Sequence, residues 1–377
     1  MPARRLLCFI VILLVAWGES ETGHPLHAAP PGAQVEIELR QTLTTSFPRW
    51  DRNQDNALDG REINALIENP QVRGGEAASV VIIRNRLLFD GENSQDQKLS
   101  REVILGLSYD RGAQRDFLQL KNRMTSGSRA LFLPGDPNLG AFNQGRLGDC
   151  YLLGTIGAFL NRDPKAVLAM IKPKPGNAFE VNFASGRKVA VSPVTDAELV
   201  MGSKPGSDRG IWLVVLEKAY ASIREEKSGP KSGKSVKAND VVVMDFLDIG
   251  SPVPVIRDLT GHRAHVENWD GEETKVTIEH LHELLGTLTR DRKLCLASTF
   301  RDRSTPLPKG IIPRHVIAVL AYDSKRRMVR MFNPWGNDLI PTGPPGMING
   351  YLTRQGLFEI PLQDFRQVFR GITYEVE

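Results

Sequence analysis

The stretch NQGRLGDCYLL, residues 143–153, decides how the rest of the chain is interpreted. A glycine-rich turn leads into Cys150, and the apolar run after it predicts a helix that begins at the cysteine and continues to about Leu160. A thiol at a helix N-terminus lies at the positive end of the helix dipole, which favours the thiolate. Gln144 is placed to donate its amide beside the backbone N–H of Cys150, and together they would form an oxyanion hole. The alternative is a core cysteine in an apolar helix.

A thiolate nucleophile needs a histidine to hold the proton and a third group to orient the ring. Among the seven histidines, His315 differs from the others because it opens an apolar, strand-like run at residues 316–320. A second strand-like run, residues 328–332, ends at Asn333. If the two strands are antiparallel neighbours, Asn333 lies beside His315. Its amide then accepts from one ring nitrogen and leaves the other facing the thiol.

A different pattern lies upstream, in the acidic segment DRNQDNALDGRE at residues 51–62. Ca²⁺ binds about six or more oxygens, supplied by alternating positions of a loop and a final bidentate glutamate. The residues at these positions are Asp51, Asn53, Asp55, Ala57 (through its carbonyl), Asp59 and Glu62. The segment resembles an EF-hand loop, and we expect it to bind Ca²⁺; the alternative is a solvated acidic turn.

One residue departs from the usual loop. Asn56 stands where glycine is usual, and asparagine is the next best residue for a left-handed backbone. A second acidic segment, residues 90–102, matches the loop pattern when Leu99 is taken as its apolar position, but it lacks the final glutamate in register. We expect this segment to be a degenerate partner of the first loop, and its own calcium binding stays open.

From about residue 130 to the end, the chain resembles the calpain family of papain-like cysteine peptidases. The resemblance rests on several segments in family order: QGRLGDCYLL at residues 144–153, IWLVVLEKAY at 211–220, DLTG at 258–261, NPWG at 333–336 and FEIPLQDF at 358–365. It implies a two-subdomain catalytic core with the active site in the cleft between the subdomains.

The resemblance also implies the role of each site residue. Cys150 is the nucleophile, His315 the general base and acid, and Asn333 the orienting group. Gln144 completes the oxyanion hole, and Trp335 shields the histidine–asparagine hydrogen bond from water.

Three departures from the family pattern stand out. Tyr151 replaces the usual tryptophan, and Arg314 the usual glycine before the histidine. An acidic residue expected shortly before Gln144, for calcium in the core, is not evident.

The predicted fold class is α+β. We expect a papain-like core with a helical subdomain and an antiparallel-sheet subdomain, preceded by an α-helical EF-hand module. The predicted boundaries are 1–18 for a signal peptide, 19–34 for a flexible tether, 35–128 for the module, and 129–377 for the core, with about 129–245 as the Cys subdomain and about 246–377 as the His/Asn subdomain.

The signal peptide is predicted from a basic start, Arg4 and Arg5, followed by an apolar run of about a dozen residues. This run is shorter than the roughly 20 residues that span a bilayer, although an uncleaved anchor stays an alternative. Cys150 and Cys295 would remain after cleavage. A disulfide between them is the default for an exported chain, but the surroundings of Cys150 argue against it, and we expect Cys295 in the core.

Composition excludes several classes of protein. With 41% hydrophobic and 24% charged residues, the chain is neither largely disordered nor fibrous. Its formal net charge of +4 is too small to indicate nucleic acid as the main partner. Three cysteines are too few for a disulfide-dense scaffold.

The sequence therefore predicts an exported, secreted or periplasmic, calpain-like cysteine endopeptidase that hydrolyses peptide bonds in protein or peptide substrates and binds Ca²⁺ at its N-terminal EF-hand. No membrane association is expected after signal cleavage, and the oligomeric state is open. The first alternative is a catalytically silent binding or scaffold protein with a calcium-stabilised module; the second is a papain-fold acyl transferase. Whether calcium is structural or regulatory, and whether residues 35–128 occlude the cleft, also stay open.

Overall fold

The computed structural model describes residues 31–89, 98–145, 147–203, 209–228, 244, 247, 249–270, 276–300 and 307–377. The predicted signal peptide, most of the predicted tether and residues 90–97 of the second acidic segment lie outside these residues. The first helix begins at Pro31, so the last four residues assigned to the tether, 31–34, are helical instead. Within the described ranges, no helix has the length and apolar character needed to cross a membrane.

The N-terminal region is mainly helical, as its apolar spacing predicts. Its elements are α1 (Pro31–Trp50), β1 (Ala57–Asp59), α2 (Gly60–Ile67), α3 (Gly74–Phe89), β2 (Lys98–Ser100), α4 (Arg101–Gly106) and α5 (Arg111–Ser126). Asp59, Ser100 and Asp110 accept backbone N–H groups at the starts of α2, α4 and α5, which satisfies donors that a helix start leaves unpaired. β1 pairs with β2, and Leu58 lies directly opposite Leu99, so the two acidic segments are joined by a short two-stranded sheet.

The central region begins with the predicted apolar helix. Its elements are α6 (Cys150–Arg162), α7 (Pro164–Met170), β3 (Ile171–Lys174), β4 (Ala178–Asn182), β5 (Lys188–Val191), α8 (Asp196–Met201), α9 (Trp212–Ser228) and α10 (Pro252–Thr260). Residues 151–160 of α6 are all buried, so this helix lies in the interior. Strands β4 and β5 pair in antiparallel register and form a hairpin.

The N-terminal region and the central region share one continuous apolar core. The start of helix α8 contacts the N-terminal region. Thr195, its N-cap, donates its hydroxyl to the Ile67 carbonyl at 2.7 Å. Asp196 accepts from the backbone N–H of Gly74 at 2.8 Å and from Arg129 at 2.5 Å. The residues predicted as a separate module are thus held against the central helices by both apolar packing and hydrogen bonds.

The C-terminal region is an antiparallel sheet with two covering helices. Its elements are β6 (Arg263–Asn268), α11 (Ile278–Arg290), β7 (Cys295–Thr299), β8 (Val316–Asp323), β9 (Met328–Phe332), β10 (Leu357–Pro361), α12 (Leu362–Val368) and β11 (Phe369–Val376). The strand order is β10-β9-β8-β7-β11-β6, with every pair antiparallel. The strand-like runs predicted at 316–320 and 328–332 lie in β8 and β9.

The two faces of this sheet belong to different cores, because successive side chains in a strand point to opposite sides. Leu296, Val316 and Phe332 pack with α6, whereas Cys295 packs on the other face with α11 and α12. Cys150 and Cys295 are both free thiols, and Cys295 is a core residue as expected. The sheet therefore lies between α6 and the α11–α12 pair. Because β8 and β9 are antiparallel, the start of β8 and the end of β9 lie side by side.

Candidate active site

Cys150 is the first residue of α6, where the glycine-rich turn ends. The Asp149 carbonyl accepts the first helical N–H groups, from Leu152 at 2.8 Å and Leu153 at 3.0 Å. The thiol is partly buried against the start of β8, where the backbone N–H of Val316 donates to its sulfur. The helix start therefore places the sulfur beside the residue that follows His315.

The close approach of α6 to the sheet depends on a glycine. A Cβ at Gly157 would lie 2.7 Å from Cε1 of the Phe332 ring, well inside van der Waals contact. Phe332 is the last residue of β9 and directly precedes Asn333. Gly157 thus lets the helix that carries Cys150 pack on the strand that carries Asn333.

β8 and β9 are antiparallel neighbours, as the sequence predicts. His315 Nε2 lies 2.8 Å from Asn333 Oδ1, and His315 is only 3% exposed. The Asn333 amide nitrogen donates to Asn337 Oδ1 at 3.3 Å and to the Gly310 carbonyl at 3.5 Å. These acceptors fix the orientation of the amide, so Oδ1 accepts and the Nε2 proton donates. This tautomer leaves Nδ1 as the base.

Trp335 covers this hydrogen bond. Its ring centroid is 5.0 Å from that of His315, with the planes inclined by 46°. Its backbone N–H also donates to Asn333 Oδ1 at 3.1 Å. Gly336 closes the turn at φ +64, and a Cβ there would lie 2.1 Å from the Phe142 carbonyl oxygen. The NPWG turn is therefore packed tightly on the loop that leads to Gln144.

The resting charge state of the pair follows from burial. Burial raises the pKa of the Cys150 thiol to about 11, opposed by the Val316 N–H. Burial also lowers the pKa of His315 to about 4, opposed by the bond to Asn333. We find no hydrogen bond between the thiol and His315 within the described residues. Burial thus opposes the thiolate that the helix dipole favours, and in this conformation its effect on both groups favours a thiol beside a neutral imidazole.

Gln144 is tied into the glycine-rich turn. Its side-chain nitrogen donates to the Leu147 carbonyl at 2.7 Å and to Asp149 Oδ1 at 3.0 Å. Its backbone N–H donates to the Pro334 carbonyl at 3.1 Å. Both amide hydrogens are thus donated inside the protein, and one must change its acceptor before Gln144 can stabilise an oxyanion.

The two substitutions in the family motifs have local explanations. Tyr151 is buried, and its hydroxyl accepts from Arg224 Nη1 at 2.6 Å. The hydroxyl is therefore satisfied where a tryptophan N–H would need an acceptor. Arg314 has φ +57, a conformation that glycine adopts at less cost. Its side chain is exposed, so the strain is confined to the backbone.

Sequence reasoning missed a pair of carboxyl groups behind the nucleophile. Asp149 and Glu217 are both 0% exposed, and their carboxyl groups lie within interaction distance of each other. Both residues lie in recognised motifs, but neither motif indicates the contact, because Glu217 is on α9 and is separated from Asp149 along the chain by helices α6, α7 and α8 and strands β3, β4 and β5. The local signal is limited to Glu217, a charged residue that directly follows the apolar residues 212–216.

The acidic loop at 51–62 folds around its own hydrogen bonds. Asp51 accepts the N–H groups of Asp55 and Asn56 at 3.2 and 3.0 Å. Asn56 has φ +60, the left-handed conformation expected at this position. Glu62 accepts from the Arg52 N–H at 2.8 Å and, with its other oxygen, from the Asp59 N–H at 3.1 Å. The loop backbone is therefore closed by its own acidic side chains.

The donor chemistry of this loop suits Ca²⁺, since carboxylate, amide and carbonyl oxygens are its preferred ligands. In this conformation the side chains do not converge: among the described residues, no group of three or more His, Cys, Asp or Glu side chains is arranged to hold a metal ion. The Lys98 ammonium forms an ion pair with Asp55. Calcium would have to displace Lys98 and redirect Glu62 from its capping bonds.

Comparisons with known proteins agree on one family. The family model described as "Calpain family cysteine protease" matches residues 120–340. Calpain-B of Drosophila melanogaster is 25% identical over 325 residues, which cover 80% of this chain and 32% of that protein. The calpain-type cysteine protease DEK1 of Arabidopsis thaliana is 25% identical over 276 residues, 66% of this chain and 12% of that protein. The chain thus spans about a third or less of the length of these relatives.

Proposed function

The chain belongs to the calpain family of cysteine proteases, and from this premise we propose that it hydrolyses peptide bonds in protein or peptide substrates through Cys150. One observation carries the proposal. The 2.8 Å contact between His315 Nε2 and Asn333 Oδ1 lies at the start of β8 and the end of β9, where the Cys150 thiol packs. A nucleophile, a base and an orienting group in this arrangement suit acyl transfer.

The reaction starts from a neutral pair. As Cys150 Sγ attacks the substrate carbonyl carbon, His315 Nδ1 takes the thiol proton and the carbonyl oxygen becomes an oxyanion. The Cys150 N–H and the released amide of Gln144 stabilise this charge. His315 then gives its proton to the leaving amine, and the C–N bond breaks. His315 then deprotonates a water molecule, which attacks the thioester carbonyl. The C–S bond breaks, the carboxylic acid product leaves, and His315 returns its proton to the sulfur.

Asn333 and Trp335 support the histidine during this cycle. The side-chain oxygen of Asn333, Oδ1, stabilises the imidazolium through the Nε2 proton and prevents rotation of the ring. The Trp335 ring keeps water from competing for that proton, which strengthens the bond. Both groups act through His315 and need no contact with the substrate.

For the N-terminal region we propose an EF-hand-like calcium module. The supporting observations are the oxygen donors at 51–62, the left-handed Asn56 and the pairing of Leu58 with Leu99. Asp51, Asn53, Asp55, Ala57, Asp59 and Glu62 would hold the ion. Bound Ca²⁺ would replace the hydrogen bonds and the Lys98 ion pair that now neutralise the loop.

Two further proposals rest on the sequence. The basic and apolar start of the chain supports export through a signal peptide at residues 1–18. The helical and sheet regions support a division of the core at about residue 245, with Cys150 on one side and His315 on the other.

The function is tested by proteolysis of unfolded casein with a reductant present, in calcium and then in chelator. Cys150→Ala is expected to abolish cleavage, and Cys295→Ala, which removes the buried thiol of the opposite sheet face, is expected to retain it. Loss of cleavage in chelator as well would make calcium a requirement. Cleavage by Cys150→Ala equal to wild type would refute the proposal.

A second candidate is a catalytically silent binding protein, favoured by the neutral pair and by the withdrawn Gln144. It predicts no casein cleavage under any of these conditions and no modification of Cys150 by an epoxysuccinyl inhibitor. Rapid modification at Cys150, with Cys295 unmodified, would exclude it.

A further inference from the structure

The buried carboxyl groups of Asp149 and Glu217 have no place in the mechanism above. Both are in the protein interior, and they contact each other directly. Two carboxylates in a low-dielectric contact cannot both ionise without a large energetic cost. Burial accordingly raises the pKa of each, and the neighbouring Glu217 raises that of Asp149 further. The pair therefore carries a single negative charge and a single proton.

Hydrogen-bond donors decide which residue holds the proton. Glu217 accepts the Ser203 N–H at 3.0 Å with each oxygen and the Ser203 hydroxyl at 3.1 Å. Asp149 Oδ1 accepts from Gln144 at 3.0 Å, and Oδ2 receives no N–H or hydroxyl donor from the described residues. Each donor stabilises the ionised form. The charge consequently resides on Glu217 and the proton on Asp149 Oδ2, where it donates to Glu217.

The position of the charge matters because Asp149 immediately precedes the nucleophile. A negative charge on Asp149 raises the pKa of the Cys150 thiol and also that of the Tyr151 phenol. With its charge transferred to α9, Asp149 is a neutral group that donates through one oxygen and accepts the Gln144 amide through the other. On this side of α6, Arg224 is a cation bonded to Tyr151, and on the sheet side burial favours the neutral form of His315.

We propose that Asp149 and Glu217 share one proton, held on Asp149, and that this arrangement keeps negative charge away from Cys150. Both are positioning residues that act through the thiol and through Gln144. The consequence for catalysis rests on the proposed function, whereas the shared proton and its effect on the thiol do not.

Two isosteric variants place the remaining charge at opposite ends of the pair. In Asp149→Asn the charge stays on Glu217, and the amide donates and accepts as the neutral acid does. In Glu217→Gln the charge moves to Asp149. The measurement is the pH dependence of Cys150 alkylation by iodoacetamide, in a Cys295→Ala background so that one cysteine of the core reacts. We expect alkylation of Glu217→Gln to be about tenfold slower than that of Asp149→Asn near neutral pH, because each unit of thiol pKa changes the thiolate fraction about tenfold.

A control separates this effect from loss of any buried carboxyl. Glu198 is 0% exposed on the neighbouring helix α8 and is paired with Lys218. Glu198→Gln is expected to leave the alkylation profile and casein cleavage unchanged. Equal profiles in Asp149→Asn and Glu217→Gln, or slower alkylation of Asp149→Asn than of Glu217→Gln, would overturn the proposal.

A second measurement needs neither turnover nor a folded Glu217 variant. The infrared carbonyl band of a protonated, buried carboxyl should be present in the wild type at neutral pH, shift in deuterium oxide, and disappear in Asp149→Asn. Absence of that band from the wild type would refute the shared proton. If the band is present and casein is not cleaved, the proposed function fails and the shared proton stands.

Discussion

Acid should destabilise this protein through His315. Burial places the pKa of His315 at about 4 in the folded state, against 6.5 for the ordinary side chain. Between these values the unfolded chain binds the proton and the folded protein does not, so the free energy of unfolding falls as pH falls through this window. The full loss is the difference of about 2.5 pH units at about 1.36 kcal/mol per unit, about 3 kcal/mol, of which about 2 kcal/mol is reached by pH 5.

Urea unfolding of the wild type and of His315→Gln at pH 7, 6 and 5 measures this contribution. The variant lacks the titrating ring, so its stability should fall by about 2 kcal/mol less than that of the wild type between pH 7 and pH 5. Cys150→Ala is the matched control. It should keep the wild-type acid loss, because the thiol is already neutral and removing it changes no charge.

The opposite result would show that the resting site is an ion pair. A thiolate beside His315 would raise the pKa of the ring above 6.5, and acidification would then stabilise the wild type relative to His315→Gln. Cys150→Ala would in that case alter the pH dependence. Either outcome would refute the argument that burial is the dominant effect on this pair.

Three further predictions concern other parts of the molecule. Asn333→Ala removes a hydrogen bond that becomes charge-assisted, worth about 1.5–3 kcal/mol, so kcat/KM for peptide hydrolysis should fall about 10- to 150-fold. Asn349→Ala is the control, because the side chain of Asn349 is half-buried and bonds only to the Pro344 carbonyl among the described residues, and an equal loss there would contradict the assignment. Glu62→Gln should reduce the rise in Tm that calcium produces in the wild type. A wild-type Tm that calcium does not change would argue against the proposed calcium module. Glu198→Ala leaves the Lys218 ammonium buried and unpaired, and urea unfolding should show a loss of about 3–5 kcal/mol; a loss below about 1 kcal/mol would show that Lys218 finds water.

The parts of the site that sequence predicted depend on short-range patterns. β8 and β9 are joined by a turn of only a few residues, so their antiparallel pairing, and with it the approach of His315 to Asn333, follows from alternation alone. Helix α6 could be predicted equally well, since an unbroken apolar run after a glycine-rich turn is typical of a buried helix.

The parts that could not be predicted depend on contacts between distant segments. β6 was missed because it carries charged residues on an exposed edge, where no apolar alternation is needed. The Asp149–Glu217 contact joins the start of α6 to α9, and the hydrophobic periodicity of the sequence does not indicate it. The balance between thiol and thiolate at Cys150 depends on how much of the thiol is buried, and a helix-dipole argument contains no measure of burial.

The apolar core shared by the N-terminal and central regions makes them one cooperative unit. Separating them would expose Thr195 and Asp196 at the start of α8, together with the apolar residues that pack around them. Calorimetry should accordingly show a single melting transition for both. By mass action, a ligand that binds only the folded loop at 51–62 then stabilises the whole unit by the same free energy. Occupancy of that loop would in this way determine how often the helix bearing Cys150 unfolds, without any change in the geometry around the sulfur.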